Sequence, residues 1–107
     1  MNINNVIDEL QKYCFKDDKT IKKEKELLNN YQIEYLTGYI GILMNQYKDV
    51  NKFEVYLNIK SADKIACPLL YKQFDNEIES KSYFDELKEL VENNNEEYIV
   101  NRCKIKI

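Results

Sequence analysis

Acidic side chains toward the C-terminal end of the sequence are the residues whose spacing points most clearly to a function. Positions 75–97 contain nine Asp and Glu residues and two lysines. In a helix predicted over 82–93, Asp85, Glu89 and Glu92 project within about 60° of one another, because each residue turns the helix by about 100°. Such a row of carboxylates attracts a basic surface and raises the rate of association. It is also typical of a solvated helix face, and both interpretations stay open.

A non-enzymatic protein-binding module is the function that we predict from this pattern, with the acidic face presented to a basic groove of a partner protein. The predicted partner-binding residues are Asp75, Glu77, Glu79, Asp85, Glu89, Glu92 and Glu96. Lys, Asn, Ile and Tyr are abundant, and AT-rich codons favour these residues, so we expect a low-GC bacterial or phage gene. The specific hypothesis is a small stoichiometric inhibitor encoded by a phage or mobile element, such as an anti-defence, anti-CRISPR-like or immunity protein.

Lysines between positions 16 and 25 support an alternative hypothesis, a small nucleic-acid-binding regulator. Lysine side chains bind phosphates, and the basic C-terminal segment 101–107 would add to their positive charge. Three acidic residues within the lysine cluster partly neutralise it. Nucleic acid is therefore the less favoured partner, but the alternative is kept.

Enzymatic, metal and cofactor chemistry have little support in the sequence. The chain has no histidine, the commonest general base, and its two glycines cannot build a glycine-rich phosphate-binding loop. Cys14, Cys67 and Cys103 are far apart, so we interpret them as small core residues rather than zinc ligands. Cys103 stands between Arg102 and Lys104 and is the one candidate for a reactive thiol. We predict no enzyme activity, no metal and no cofactor, while an enzyme subunit, or an enzyme that uses carboxylates alone, stays a third hypothesis.

Length and apolar content predict one domain over residues 1–107. A chain of 107 residues with 44% apolar residues can close a single hydrophobic core. The residues after Met1 do not resemble a secretory signal, and the longest segment without charge, 35–47, is too short to cross a bilayer. We therefore expect a soluble, cytoplasmic protein that does not bind membranes, and we make no prediction of its oligomeric state.

Helical spacing of apolar residues predicts three helices in the N-terminal half, over 4–15, 20–31 and 33–47. The third is apolar around most of its circumference, so we place it in the middle of the domain. Its glycines, Gly38 and Gly41, fall on one narrow strip, where a neighbouring element would approach the helix backbone closely.

The C-terminal half is predicted to contain a β-hairpin, a helix and a final strand. Residues 53–60 alternate between apolar and polar types, and 64–74 fits an antiparallel second strand, although a loop or short helix also fits it. Pro68 cannot donate to a neighbouring strand, which indicates an edge position or a bulge. A helix over 82–93 and a strand over 97–107 follow. The predicted fold class is α+β: three N-terminal helices, a hairpin, one amphipathic helix and a C-terminal strand, with a small, mostly antiparallel sheet packed on helices.

Overall fold

The computed structural model describes residues 10–15, 23–35, 38–61, 67–93 and 96–104. Its elements, in chain order, are a short 3₁₀ helix, four strands and two helices. Their bounds are Gln11–Tyr13 for the 3₁₀ helix, Lys25–Tyr35 for β1, Gly38–Tyr47 for β2, Phe53–Ser61 for β3, Cys67–Phe74 for β4, Glu77–Asn93 for α1 and Glu96–Lys104 for α2.

The four strands form one antiparallel sheet in the order β1-β2-β3-β4, so each strand pairs with the next along the chain. Alternate residues of the central strands point to opposite faces of this sheet. The first face is apolar and buried, with Ile40, Ile42 and Met44 on β2 and Phe53, Val55, Leu57 and Ile59 on β3. The opposite face, called the second face below, carries Glu54 and Tyr56 of β3.

Both helices and Leu10 contribute to the core on the first face. The buried residues of α1 recur at the spacing of one helix side: Tyr83, Phe84, Leu87, Leu90 and Val91. From α2 come Ile99, Val100 and Cys103, all buried. The amphipathic helix predicted over 82–93 is confirmed, although it begins earlier, at Glu77.

The predicted hairpin is confirmed, because β3 and β4 pair antiparallel. Pro68 lies on β4, which is an edge strand of the sheet, and its carbonyl oxygen accepts a hydrogen bond of 2.9 Å from the backbone of Phe15. The register between β3 and β4 shifts past Tyr56, and Leu70 at this bulge has a φ of 52°. The predicted edge position of Pro68 is therefore correct.

The helix predicted over 20–31 is wrong where the structure describes it, because β1 begins at residue 25. Leu28 forms a bulge in β1, since the pairing with β2 steps from Leu27 to Asn29. This extra residue interrupts the alternation of the strand and leaves the apolar residues before and after it at a helix-like spacing. The predicted helix over 4–15 lies mostly outside the described residues.

The helix predicted over 33–47 is also wrong, because the segment supplies the end of β1 and all of β2. A strand with apolar residues on both faces gives the same continuous apolar run as a buried helix. Gly41 does not belong to a tightly covered strip. A Cβ built on it would meet its nearest neighbours at 3.7 to 3.9 Å, which is ordinary van der Waals contact.

The C-terminal strand predicted over 97–107 is wrong, because residues 96–104 form α2. Ile99 and Cys103 are four residues apart, and that interval keeps two residues on one side in a strand and in a helix alike. Val100 is buried beside Ile99, which a strand with one buried face does not allow. Across the residues that the structure describes, the fold is thus a four-stranded antiparallel meander followed by two helices, and the predicted class of three N-terminal helices with a C-terminal strand is wrong.

The cysteines differ from one another. Cys103 is buried in the core, and burial raises the pKa of its thiol to about 11, so the core interpretation is confirmed for this residue and the reactive thiol is not supported. Cys14 is partly buried against the core, as predicted, but it also takes part in a disulfide, which the sequence analysis did not predict. The side chain of Cys67 lies outside the described residues.

In the described part of the chain, no helix is long and apolar enough to span a membrane.

Candidate protein-binding site

The predicted acidic residues lie on α1 and just before it, in two groups. The end group consists of Asp75, Glu77 and Glu79, and the side group consists of Asp85, Glu89 and Glu92. All six are exposed, and the side group lies opposite the buried side of the helix. The side chain of Glu96 lies outside the described residues. The structure therefore places six of the seven predicted residues on the surface, but along the length of a helix rather than at one point.

Asn76 caps α1 and thereby fixes the end group. Its side-chain oxygen accepts a hydrogen bond of 2.8 Å from the backbone of Glu79, which is the geometry of an N-cap residue. Carboxylates in the first turn, such as those of Glu77 and Glu79, are stabilised by the positive end of the helix dipole. The helix therefore begins at Glu77 rather than at the predicted position 82, and Ser82 and Asp85 lie inside it.

Two lysines approach these acidic groups at the surface. Lys81 Nζ lies 2.6 Å from Asp85 Oδ1 one helical turn away, and Lys52 Nζ lies 3.8 Å from Asp75 Oδ1. All four side chains are at least half exposed, so each pair contributes no more than about 1 kcal/mol and is weakened by salt. The carboxylates consequently stay accessible to a partner.

β1 is the other edge strand of the sheet. Within the described ranges, no strand pairs with its outer edge. An edge strand offers backbone N–H and C=O groups to which an extended peptide can add as a further strand. In the half of β1 that contains the bulge, residues 25–30, Leu28 and Asn29 face the beginning of α1.

A groove of about 410 Å³ opens between this half of β1 and the first turns of α1. We call it the β1–α1 groove, and it is lined by Leu28, Asn29, Met44, Glu77, Ile78 and Lys81. Leu28 and Ile78 are 36% and 83% exposed although both are large and apolar. The groove thus combines apolar side chains, a strand edge and a carboxylate of the end group.

On the second face, Glu54 is the centre of a polar network. Its side chain has no exposed surface, and Lys25 Nζ lies 2.7 Å from Oε1, which also accepts a hydrogen bond of 3.2 Å from Asn45. Oε2 accepts hydrogen bonds from the hydroxyls of Tyr47 at 3.2 Å and Tyr71 at 2.5 Å. Both carboxylate oxygens are therefore satisfied, as a buried charge requires.

Further groups complete this network. The amide of Gln73 donates to the hydroxyls of Tyr47 at 2.9 Å and Tyr71 at 3.1 Å. Phe15 stacks on Tyr71 with ring centroids 3.9 Å apart, which joins the N-terminal segment to the second face. Burial and the Glu54 carboxylate raise the pKa of Tyr71 and of Tyr56.

Two lysines of the predicted nucleic-acid-binding cluster are described, and both lie at this network. Lys23 Nζ is 5.3 Å and Lys25 Nζ is 5.4 Å from the centroid of the Tyr47 ring. These distances are within the range of cation–π interaction. Both ammonium groups are thus directed at groups of the chain itself.

Neither the β1–α1 groove nor the Glu54 network is predicted from the sequence. Ile78, a single apolar residue within the polar segment 75–80, is a signal for the groove. Alternation places Glu54 on the polar side of β3, but no local pattern shows that Tyr47 and Tyr71 meet it from two other strands.

In the described part of the chain, no group of three or more His, Cys, Asp or Glu residues could hold a metal ion.

The chain is similar to curated histone-lysine N-methyltransferases of the SUV39H2 type. It is 32% identical over 124 residues to the Macaca fascicularis protein, 31% to the Homo sapiens protein and 32% to the Bos taurus protein. Each match covers 94% of this chain, and the chain spans 28% of the length of these relatives. No family model and no solved structure matches the chain.

Proposed function

We propose that this chain is a non-enzymatic protein-binding module for a basic, lysine-bearing segment of a partner protein. The observation that carries the proposal is the β1–α1 groove, where an edge strand, exposed apolar side chains and a carboxylate meet. The name of these relatives supports the chemistry of the partner, because they are histone-lysine N-methyltransferases and a lysine side chain is basic.

The partner segment would bind in an extended conformation and add a strand to β1 at residues 25–30. Backbone hydrogen bonds would supply affinity that does not depend on the partner's sequence, and alternate side chains would supply specificity. One of those side chains would enter the groove between Leu28 and Ile78. Their exposed apolar surface would then be removed from water at about 25 cal/mol per Å².

The acidic groups would select a basic segment. Glu77 lines the groove itself, while the side group lies further along α1, where it would act at longer range on the approaching partner. Exposed charges of this kind change the association rate more than they change stability.

The groove is tested with a synthetic lysine-rich histone-tail peptide as the probe and fluorescence anisotropy as the measurement. Ile78→Ser is expected to weaken binding at least several-fold, while the melting temperature stays nearly unchanged because the side chain is already exposed. Val50→Ser is the matched control, since Val50 is another exposed apolar residue, 47% accessible and away from the groove. Equal affinity of the Ile78→Ser and Val50→Ser variants would contradict the proposal.

The side group is tested by association kinetics with the same peptide. Combined reversal of Asp85, Glu89 and Glu92 to Lys is expected to slow association and to reduce its salt dependence. The control variant reverses three exposed acids elsewhere, Glu24, Glu34 and Asp49, and so makes the same change in net charge. If both triple variants slow association equally, only the net charge matters and the side group has no special role.

Two narrower hypotheses stay predictions. The inhibitor hypothesis requires a target whose activity falls at a one-to-one ratio of this chain, which a titration against a captured partner would show. The nucleic-acid hypothesis requires binding of DNA or RNA that weakens steeply with salt, which an electrophoretic shift assay at low salt would show.

A further inference from the structure

We infer that the Glu54 network is a binding site for a primary alkylammonium group, which Lys25 occupies and which can exchange its occupant. The site lies on the second face of the sheet and is independent of the β1–α1 groove. The chemical class of the ligand is a primary alkylammonium ion, such as the end of a lysine side chain or a short amine.

The geometry of the site matches an ammonium ion. Glu54 supplies a fully buried carboxylate, and Lys25 Nζ lies 2.7 Å from its Oε1. The Tyr47 ring supplies an aromatic face 5.4 Å from the same nitrogen. A carboxylate and an aromatic face together attract a cation more strongly than either does in water, because the site is desolvated.

The position of Lys23 indicates that the site can change its occupant. Its ammonium lies 5.3 Å from the centroid of the same Tyr47 ring, so two lysines two residues apart approach one aromatic ring. Only Lys25 forms the ion pair with Glu54 among the described residues. Lys23 is exposed and is carried on a long, flexible side chain. We therefore expect Lys23 to move to the carboxylate if Lys25 leaves.

An exchange of occupants would keep the buried Glu54 carboxylate paired with a cation. An isolated buried charge is far more costly than a paired one, so the loss of Lys25 favours the entry of another cation beside Glu54. A free alkylammonium ion meets this requirement as well as a lysine does, but it has to compete with two lysines that are tethered to the site.

A double-mutant cycle tests whether the occupants exchange. Methionine keeps most of the lysine stem and removes the charge, so the variants are Lys23→Met, Lys25→Met and the double variant. We expect Lys23→Met to leave the melting temperature nearly unchanged and Lys25→Met to lower it moderately, because Lys23 takes over. The double variant should then lose clearly more than the sum of the two single losses. Losses that simply add would overturn the exchange.

A ligand titration tests the chemical class. n-Butylammonium chloride, added at constant ionic strength, is expected to raise the melting temperature of the double variant by several degrees and to leave the wild-type chain unchanged. n-Butanol is the neutral control of the same length, and it should have no comparable effect. Equal responses to the amine and the alcohol would overturn the inference.

If the double variant does not fold at any ligand concentration, the Lys25→Met variant provides the test of the ligand class. Lys25→Met keeps Lys23 as a competitor, so we expect this variant to fold and to gain a larger increase in melting temperature from n-butylammonium than from n-butanol. A Lys25→Met variant that is unfolded, or that responds to amine and alcohol alike, would overturn the inference.

Discussion

Tyr83 donates a hydrogen bond of 2.7 Å from its hydroxyl to the backbone carbonyl oxygen of Leu70. Leu70 has a φ of 52°, a left-handed conformation that costs a residue with a side chain roughly 1–2 kcal/mol. The bond therefore joins α1 to the bulge of β4 at a position where the strand backbone is unfavourable. It fixes the helix against the sheet and stabilises the bulge at the same time.

Tyr83→Phe should lower the free energy of unfolding by about 1 kcal/mol, because it leaves the ring in place and removes the partner of the Leu70 carbonyl. Chemical denaturation with urea is the measurement. Tyr39→Phe, at a half-buried position on the second face, is the control and should change stability less. A Tyr83→Phe variant as stable as the wild-type chain would mean that water replaces the hydroxyl at no cost.

The stability of the chain should fall as the pH rises above 10. Burial raises the pKa of Tyr83 to about 12, and the pKa of Tyr47 is also raised, chiefly by burial. Their phenols stay protonated in the folded chain while the unfolded chain loses these protons near pH 10. The stability that these groups contribute is fully present below pH 10 and is lost between pH 10 and the raised values.

The contribution of Tyr83 to this pH dependence can be isolated. Between pH 10 and 12, the free energy of unfolding of Tyr83→Phe should fall less steeply than that of the wild-type chain, by up to about 1.4 kcal/mol per pH unit. Urea denaturation at a series of pH values gives both slopes, and lysine titration affects the two proteins equally. Identical slopes would show that Tyr83 ionises alike in both states.

The elements that the sequence predicts correctly are those whose pattern fits one period only. Residues 53–60 alternate without interruption, and α1 has a stripe of buried residues at helical spacing from Tyr83 to Val91. β2 lies between β1 and β3 and carries apolar residues on both of its faces. Its sequence therefore shows no single period. The bulge at Leu28 shifts the alternation of β1, and only the pairing with β2 reveals that shift.

The candidate site, like the fold, can be predicted from the sequence only in part. The exposure of Asp85 and its neighbours follows from the helix period, since they lie opposite the apolar stripe. The β1–α1 groove depends on an edge strand that the sequence pattern does not predict, so Leu28 and Ile78 could not be placed together. The Glu54 network draws its groups from four strands, and such long-range convergence has no local sequence signal.

Gly41→Ala should stabilise the chain by about 0.4–1 kcal/mol. The glycine lies in β2 without a positive φ, and an added Cβ would touch Tyr31 O at 3.7 Å and Gln32 Oε1 at 3.8 Å without displacing them. The gain comes from the unfolded chain, which loses more conformational freedom with glycine than with alanine when it folds. Thermal unfolding is the measurement, and a lower melting temperature would show that the sheet needs the space beside Gly41.

Cys103 should react with a thiol reagent only when the chain unfolds. Its side chain is buried on α2, and burial raises the pKa of the thiol to about 11, so the reactive thiolate is scarce at neutral pH. Labelling with an aromatic disulfide reagent at pH 8 should be slow in buffer and fast in concentrated urea. Arg102 lies next to Cys103 and lowers this pKa, but less than burial raises it. Arg102→Gln should therefore leave labelling slow, whereas fast labelling of the native wild-type chain would show that α2 opens from the core.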